Sequence, residues 1–442
     1  MSAAPGRSAR LVVLSRVGRV GRLARGRVGA AVLSQAVVAV SGLALQLVAA
    51  RTLGLRGYGA YVLCFGVLVT VTAVFTGFVG DSLTVLDRFD PHVRAALATV
   101  AAAGTVAGAV LDGVVAFVVD GGGTAAGWTF ALATAIWLVR EVGRRVLMAR
   151  LSFWRLLVAD AVAVAVTLAP LAGYLAAGGP AGLTVIFAAM AVGNAVAALL
   201  ATAMLPRAER LVPRPGWSGL RAVAGFATWR SLQVGLRPGT LVVVRLLVAA
   251  TGGLAAVGLL EAGRLILAPV QTVVNSAGSV LLSGGAAARR AGRSASRWTT
   301  RASVLLVGAA VAGGVLGAVF AGPVGNAVIG RPAPVGLVLG WAGFLAVAAA
   351  TLPYATEVTV HERSRTVFGI RLADSLSAVV LVAVIGALGL GVAWVPWSMA
   401  AAGAAWFVVL HRVAIRLRRE PAGHQPRPGV TASAAPGAGW SA

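Results

Sequence analysis

Long apolar segments dominate this chain and limit what it can fold into. Of its 442 residues, 59% are hydrophobic and only 12% are charged. Roughly 20 consecutive apolar residues cross the hydrocarbon core of a bilayer. Twelve segments are candidates, and the fourth, being short, is expected to borrow residues from both sides: 28–50, 59–79, 95–119, 127–139, 156–177, 181–205, 225–250, 254–282, 302–320, 336–353, 368–393 and 395–410. The sequence therefore predicts an all-α polytopic membrane protein with about twelve transmembrane helices.

The arginines predict how the chain crosses the membrane. All 38 basic residues are arginine. If the amino terminus is inside and the spans alternate, only Arg51, Arg56 and Arg331 fall outside. Four more are assigned to the spans, namely Arg230, Arg237, Arg245 and Arg264. Because the remaining arginines are all counted inside, including Arg371 at the cytoplasmic edge of segment 368–393, the positive-inside rule predicts that both termini are cytoplasmic.

The net charge of +25 also bears on partners. A basic balance can indicate nucleic acid, but here the arginines lie between apolar runs, so we expect anionic membrane lipids and no nucleic acid. The absence of lysine, with abundant alanine, glycine and valine, is typical of a GC-rich bacterial genome. We therefore predict the bacterial cytoplasmic membrane as the location.

Nothing in the sequence predicts catalysis. The single cysteine, Cys64, lies in an apolar run, and the four histidines lack ligand spacing, so we predict no metal site. There is no nucleotide-binding signature G-x-x-x-x-G-K-[ST]. We expect no cofactor and no enzyme, which leaves transport as the leading class of function.

A short repeat indicates two halves in parallel arrangement. "GLRGYGAY" (Gly54–Tyr61) follows the first span and "GLAAVGLL" (Gly253–Leu260) follows the seventh, each in a turn predicted to lie outside. We predict two six-helix halves, 28–205 and 225–412, joined by a cytoplasmic linker, 206–224. Residues 1–27 are predicted to form a basic amphipathic segment on the membrane surface, with a disordered basic tail as the alternative. Residues 413–442 are predicted to form a basic and then disordered tail.

The seventh span carries permanent cations in an apolar setting. Arg237 falls near its middle and Arg245 lies further along, and a mid-bilayer arginine costs roughly 2.5–3.5 kcal/mol unless it faces a cavity or a partner. Pro238, flanked by glycines, predicts an interruption of this helix. The alternative is a span that starts at Leu236, which would make Arg237 an ordinary anchor and leave only Arg245 buried.

Other polar groups recur within the spans. Glu261, Arg264, Gln271 and Asn275 share one face of the eighth span, and Gln35 and Gln46 share a face of the first. An i,i+3 ion pair between Glu261 and Arg264 is the simpler interpretation of those two charges. Asp112 in the third span has no charged neighbour in sequence, and it and Glu261 are the candidate coupling groups. For Asp160 and Asp374, paired or interfacial structural roles are expected.

Two segments resemble a known family. "LSQAVVAVSGLALQLVAARTLGLRGYGAYVL" (Leu33–Leu63) is similar to the opening of the oligosaccharide flippases, or polysaccharide biosynthesis membrane proteins. The similarity rests on Ala50, Arg51, Leu53, Gly54, Tyr58, Gly59 and Tyr61. Gly258–Leu282 is similar to the family's second-half segment. The resemblance implies the multidrug/oligosaccharidyl-lipid/polysaccharide exporter (MOP) superfamily and outward flipping of undecaprenyl-diphosphate-linked sugars.

This resemblance suggests roles for the buried polar groups. A diphosphate would be bound by Arg237, Arg245 and Arg264, because guanidinium groups bind phosphate oxygens in a two-pronged geometry. The sugar would contact the amides of Gln35, Gln46, Gln271 and Asn275. A polysaccharide polymerase and glycosyltransferases are possible partners. The alternatives are a major-facilitator carrier of a soluble anionic or drug-like substrate, and a non-transporting scaffold of a polysaccharide-synthesis complex.

Overall fold

A computed structural model describes residues 7–87, 89–210, 216–277, 281, 296–361 and 363–419, and every regular element in them is helical. The main helices are α1 (Arg7–Thr52), α2 (Gly54–Phe75), α3 (Pro91–Val119), α4 (Thr124–Ala149), α5 (Phe153–Ala176), α6 (Leu183–Met204), α7 (Leu220–Ile266), α8 (Ser296–Val319), α9 (Ala321–Ile329), α10 (Val335–Val360), α11 (Ser364–Ala387) and α12 (Trp394–Arg419). A π-helical turn, Thr76–Gly80, and a further turn, Asp81–Val85, extend α2. Residues 268–277 are also helical.

The helix lengths confirm the expectation of about twelve spans. Among the described residues, ten helical stretches are long and apolar enough to cross a membrane. One of them, Val223–Ile266, has 44 residues, about 66 Å at 1.5 Å per residue, or roughly two bilayer cores. It is broken at Gly253, where φ is 77°, so it supplies the seventh span and the start of the eighth. The helix α4 adds a twelfth, although charges in its second half make it less apolar.

Two predicted spans are longer in the structure. The fourth, predicted at 127–139 with residues borrowed from both sides, lies within α4, which continues to Ala149, and the charged residues of its second half have buried partners. The helix α7 begins at Leu220, so Arg237 lies in its interior and Pro238 is not a first-turn proline. The predicted interruption at Pro238 is also absent, since α7 departs from helical geometry only at Gly253. One proline removes a single helical N–H and can be accommodated within a helix that packs against its neighbours.

The repeat detected in the sequence forms the contact between the halves. Gly54 and Gly253 both adopt positive φ, 65° and 77°, at equivalent helix starts. Five residues later, Gly59 and Gly258 lie where α2 crosses α7. A Cβ at Gly59 would overlap the carbonyl oxygen of Leu254, and one at Gly258 would overlap that of Leu55. The reciprocal contact is what a two-fold relation between parallel halves produces, and glycines allow the two backbones to approach this closely.

The two halves pack mainly within themselves. In the first half, α4 packs on α3 and α6, and α1 and α6 pack on α5; in the second, α10 packs on α8 and α12, and α11 on α7 and α12. The aromatic rings of Tyr61, Phe130 and Phe187 stack in the core of the first half. The indole of Trp341 donates to the Leu260 carbonyl at 2.8 Å in the second. The helices α2 and α7 make the most extensive helix–helix contact, and it joins the halves.

The ends of the chain add two observations. The helix α1 runs unbroken from Arg7 to Thr52, so most of the predicted basic segment is continuous with the first span. The helix α12 includes the first basic residues of the predicted tail, and residues 420–442 lie outside the described residues. The domain bounds, the amphipathic seating and the cytoplasmic orientation stay predictions.

Candidate functional site

A charged, open cavity of about 150 Å³ lies between α7, α10, α11 and α12 of the second half; its two arginines, Arg237 and Arg371, are exposed and Asp374 is half-buried. Its polar lining is Gln233, Arg237, Thr240, Thr351, Arg371, Asp374 and Ser375. The guanidinium carbon of Arg237 lies 6.0 Å from the centre of the Phe344 ring, at the outer limit of a cation–π contact. Arg237 lies midway between the start of α7 at Leu220 and its break at Gly253, and this part of the helix borders the cavity.

The charges around this cavity are not paired directly. Within the residues that the structure describes, the side chains of Arg237, Arg371 and Asp374 make no hydrogen bond and no ion pair within 4.0 Å. Arg371 and Asp374 are three residues apart and share a face of α11. Asp374 lines the same cavity as both guanidinium groups. Two cations and one anion give the cavity a formal charge of +1.

Arg245 and Arg264 lie elsewhere, bound to one carboxylate. Glu261 is 1% exposed, and it accepts from Arg245 Nε at 2.9 Å and from Arg264 Nε at 2.5 Å. The Glu261–Arg264 pair is the i,i+3 contact that the sequence offered as an alternative, and Arg245 adds a third member. The Arg245 guanidinium also packs so closely on Gly66 of α2 that a Cβ there would overlap it. This cluster therefore lies at the contact between the halves.

The predicted amides do not converge on the cavity. Gln271 accepts from Arg264 Nη1 at 3.3 Å, while Asn275 is exposed. On α1, Gln35 is exposed and Gln46 is partly buried, and neither lines the charged cavity. The fold thus separates the predicted binding residues. Arg237 lines the cavity, Arg245, Arg264 and Gln271 belong to the Glu261 cluster, and Gln35, Gln46 and Asn275 belong to neither.

Asp112, the other candidate coupling group, is fully buried in α3. One carboxylate oxygen accepts from Thr134 Oγ1 at 2.7 Å. The other oxygen has no hydrogen-bond partner among the described residues.

The sequence analysis missed a polar network in the first half. Arg140 donates to Asp160 at 2.6 Å and to Asn194 at 2.6 Å, and Arg144 Nε donates to Asp160 at 3.1 Å. Ser34 also donates to Asp160, at 2.7 Å, so the expected paired structural role of Asp160 is present. The i,i+4 spacing of the two arginines is the available signal, but both lie beyond the predicted segment 127–139. Arg140 and Asn194 also border a second cavity, of about 230 Å³, in this half.

An ion pair links the halves at the other end of α7. Arg230 Nε donates to Asp81 Oδ2 at 2.5 Å, and Arg145 lies 3.6 Å from the other oxygen of Asp81. The side chain of Arg230 is 46% exposed, so this pair lies at the surface of the helix bundle rather than in its core.

These features define a class of fold, that of multi-pass helical membrane proteins built from two six-helix halves. No protein-family model matches the sequence, and no curated protein is significantly similar to it. Solved structures do share the fold. The lipid II flippase MurJ in an inward closed conformation has a TM-score of 0.70 at 12% identity, over 88% of this chain and 87% of that one.

Two further structures extend the comparison. An inward-facing multidrug resistance MATE family transporter of the MOP superfamily has a TM-score of 0.64 at 15% identity, over 88% of this chain and 96% of its own. A MOP superfamily transporter from Pyrococcus furiosus, described as having a binding pocket of reverse polarity, has a TM-score of 0.54 at 15% identity, over 88% and 95%. The chain therefore has the MATE- and MurJ-like fold of MOP-superfamily transporters.

Proposed function

We propose that this protein flips a polyprenyl-diphosphate-linked oligosaccharide from the cytoplasmic to the outer leaflet for cell-surface polysaccharide biosynthesis. The similarity of fold to a lipid II flippase and the resemblance of Leu33–Leu63 to oligosaccharide flippases support this proposal. The bacterial cytoplasmic membrane is the proposed location, with anionic lipids around the chain. A polymerase and glycosyltransferases are the partners that such a pathway would require.

The observation that carries the proposal is the excess of arginine around the interior of the second half. The cavity has two guanidinium groups against one carboxylate, and the Glu261 cluster has the same ratio. A diphosphate must cross a region of low dielectric, where an unpaired anion is costly. Arginine stays protonated there and binds phosphate oxygens in a bidentate manner. Of the three arginines predicted to bind the headgroup, Arg237 is the one without an ion-pair partner among the described residues.

The two arginine groups then have different roles. Arg237 in the cavity binds the headgroup. The Arg245–Glu261–Arg264 cluster, in which both guanidinium groups already bind Glu261, holds α7 against α2 where the halves meet. Transport occurs when one half rocks against the other, with the prenyl tail remaining in lipid between them. Asp112, with one unpartnered oxygen, is the proposed coupling group.

Leaflet exchange in liposomes tests this function. The protein is reconstituted with a fluorescent prenyl-diphosphate sugar, and the fraction of label reached by a membrane-impermeant quencher is followed over time. We expect wild type to accelerate exchange, and Arg237→Gln to slow it at least tenfold, because losing one charge-assisted contact removes about 1.5–3 kcal/mol of binding. Arg331→Gln removes an exposed arginine remote from the cavity and is the matched control.

Three outcomes would contradict parts of the proposal. Exchange that survives Arg237→Gln would retain flipping and remove this arginine from the site. An absence of exchange, with uptake of a soluble anion instead, would favour a carrier of soluble substrates. An absence of both, across several headgroups and imposed ion gradients, would favour a scaffold in a synthesis complex.

A further inference from the structure

The cavity in the second half contains other charged side chains besides the predicted Arg237. Arg237 reaches it from α7, and Arg371 and Asp374 reach it from the next-to-last helix, α11. The sequence places Arg371 with the cytoplasmic arginines, and it predicts a paired or interfacial structural role for Asp374. Neither residue has a direct partner among the described residues, although two positive charges and one negative charge line the same cavity.

We propose that Arg237 and Arg371 form a two-arginine clamp for a phosphate-class anion, and that Asp374 is a built-in competitor for that anion. The proposal rests on the function proposed above, for which it names the headgroup subsite. When the cavity is empty, the Asp374 carboxylate offsets the charge of two guanidinium groups that would otherwise repel each other. When phosphate enters, its oxygens take over both guanidinium groups, and the carboxylate becomes a repulsive neighbour.

The geometry around Asp374 favours this role over a fixed structural pair. Its Oδ1 atom faces Gly403 of α12, and even a Cβ added there would stand 3.7 Å away, at an ordinary van der Waals distance, so α12 does not crowd the carboxylate. More than 4.0 Å separates the carboxylate from each guanidinium group, whereas the atoms of a direct ion pair lie within that distance. The first-half network is the contrast, because there Asp160 contacts its arginines at 2.6 and 3.1 Å. The hydroxyl of Ser375, with no hydrogen bond among the described residues, adds an uncommitted donor to the lining.

Binding of inorganic diphosphate to the purified full chain in detergent, measured by isothermal titration calorimetry, tests the clamp. We expect Arg371→Gln to weaken binding at least tenfold, by loss of a charge-assisted contact. We expect Asp374→Asn to tighten binding severalfold, because the variant removes the competing negative charge. Arg331→Gln and Asp120→Asn, which remove exposed charges elsewhere, should leave the affinity unchanged.

The opposite signs make the proposal refutable even if one variant folds poorly. A purely structural role for Asp374 predicts weaker binding in Asp374→Asn, and that result, or no change, would overturn the competitor. No binding of diphosphate to wild type would overturn the clamp even if leaflet exchange is observed. Binding without leaflet exchange would keep the clamp and remove the flippase function.

A second arm identifies the source of the anion. Farnesyl diphosphate, which has the same headgroup on a short prenyl tail, should displace inorganic diphosphate at lower concentration. Failure to displace it would assign the site to a free anion and overturn the link to the lipid substrate.

Discussion

Glu261 is the residue whose removal should most disturb the contact between the halves. It is 1% exposed and accepts hydrogen bonds from Arg245 and Arg264, whose side chains are 8% and 20% exposed. Glu261→Gln keeps the size of the side chain and removes its charge, so both guanidinium groups lose their counter-ion. Breaking a buried ion pair by removing one partner costs about 3–5 kcal/mol. Because Arg264 can recover some hydration, we expect a loss near the lower end, about 3 kcal/mol.

The assay is unfolding of the detergent-solubilised protein by denaturant, followed by tryptophan fluorescence. Trp341 is a native reporter beside the site, since its indole donates to the carbonyl of Leu260. A double-mutant cycle with Arg245→Gln isolates the pair from other effects. The double variant leaves one unpaired arginine instead of two, so its loss of stability should fall short of the sum of the single losses by about 1–3 kcal/mol.

Two results would refute this reasoning. A loss below about 0.5 kcal/mol, the range of ordinary surface substitutions, would mean that the cluster is hydrated and contributes little. Strict additivity in the cycle would mean that Arg245 and Glu261 do not act on each other. Asp120→Asn, at an exposed acid in the turn between α3 and α4, is the control for loss of one negative charge.

Two further predictions concern how tightly the halves pack and how they open. Gly258→Ala should destabilise the protein by about 1–3 kcal/mol in the same unfolding assay, because the added methyl group would overlap a backbone carbonyl of α2. Gly308→Ala, where nothing lies within 4 Å, should be neutral or stabilising, and equal effects would contradict the close crossing. Asp81→Asn should cost less than about 1 kcal/mol of stability, since its partner Arg230 is half exposed, yet should speed thiol labelling of a Thr240→Cys reporter in the cavity. The native Cys64 is buried and gives little background, and unchanged labelling would show that the Asp81–Arg230 pair does not restrict access.

Much of the architecture follows from the sequence because bilayer thickness constrains it. Apolar segments of about 20 residues predict the number of spans, and the structure confirms about twelve of them. The repeat at Gly54 and Gly253 predicted the two halves, because positive φ and close backbone approach each favour glycine. The MOP-superfamily fold was also implied by residues Leu33–Leu63, and the solved structures support it.

Charge partners that do not share one helical face were decided by tertiary structure alone. Helical periodicity shows which residues share a face of one helix, but it contains no information about which helix lies opposite. From the sequence alone, Arg245 could bind either a substrate or Glu261. The break at Gly253 decides for Glu261, because it brings the two parts of α7 together. Arg237, equally plausible in sequence, meets Arg371 across more than 130 intervening residues and keeps no ion-pair partner among the described residues. A membrane span can be recognised from the length of a single apolar segment, whereas an ion pair between helices depends on how two segments that are distant in the chain cross each other.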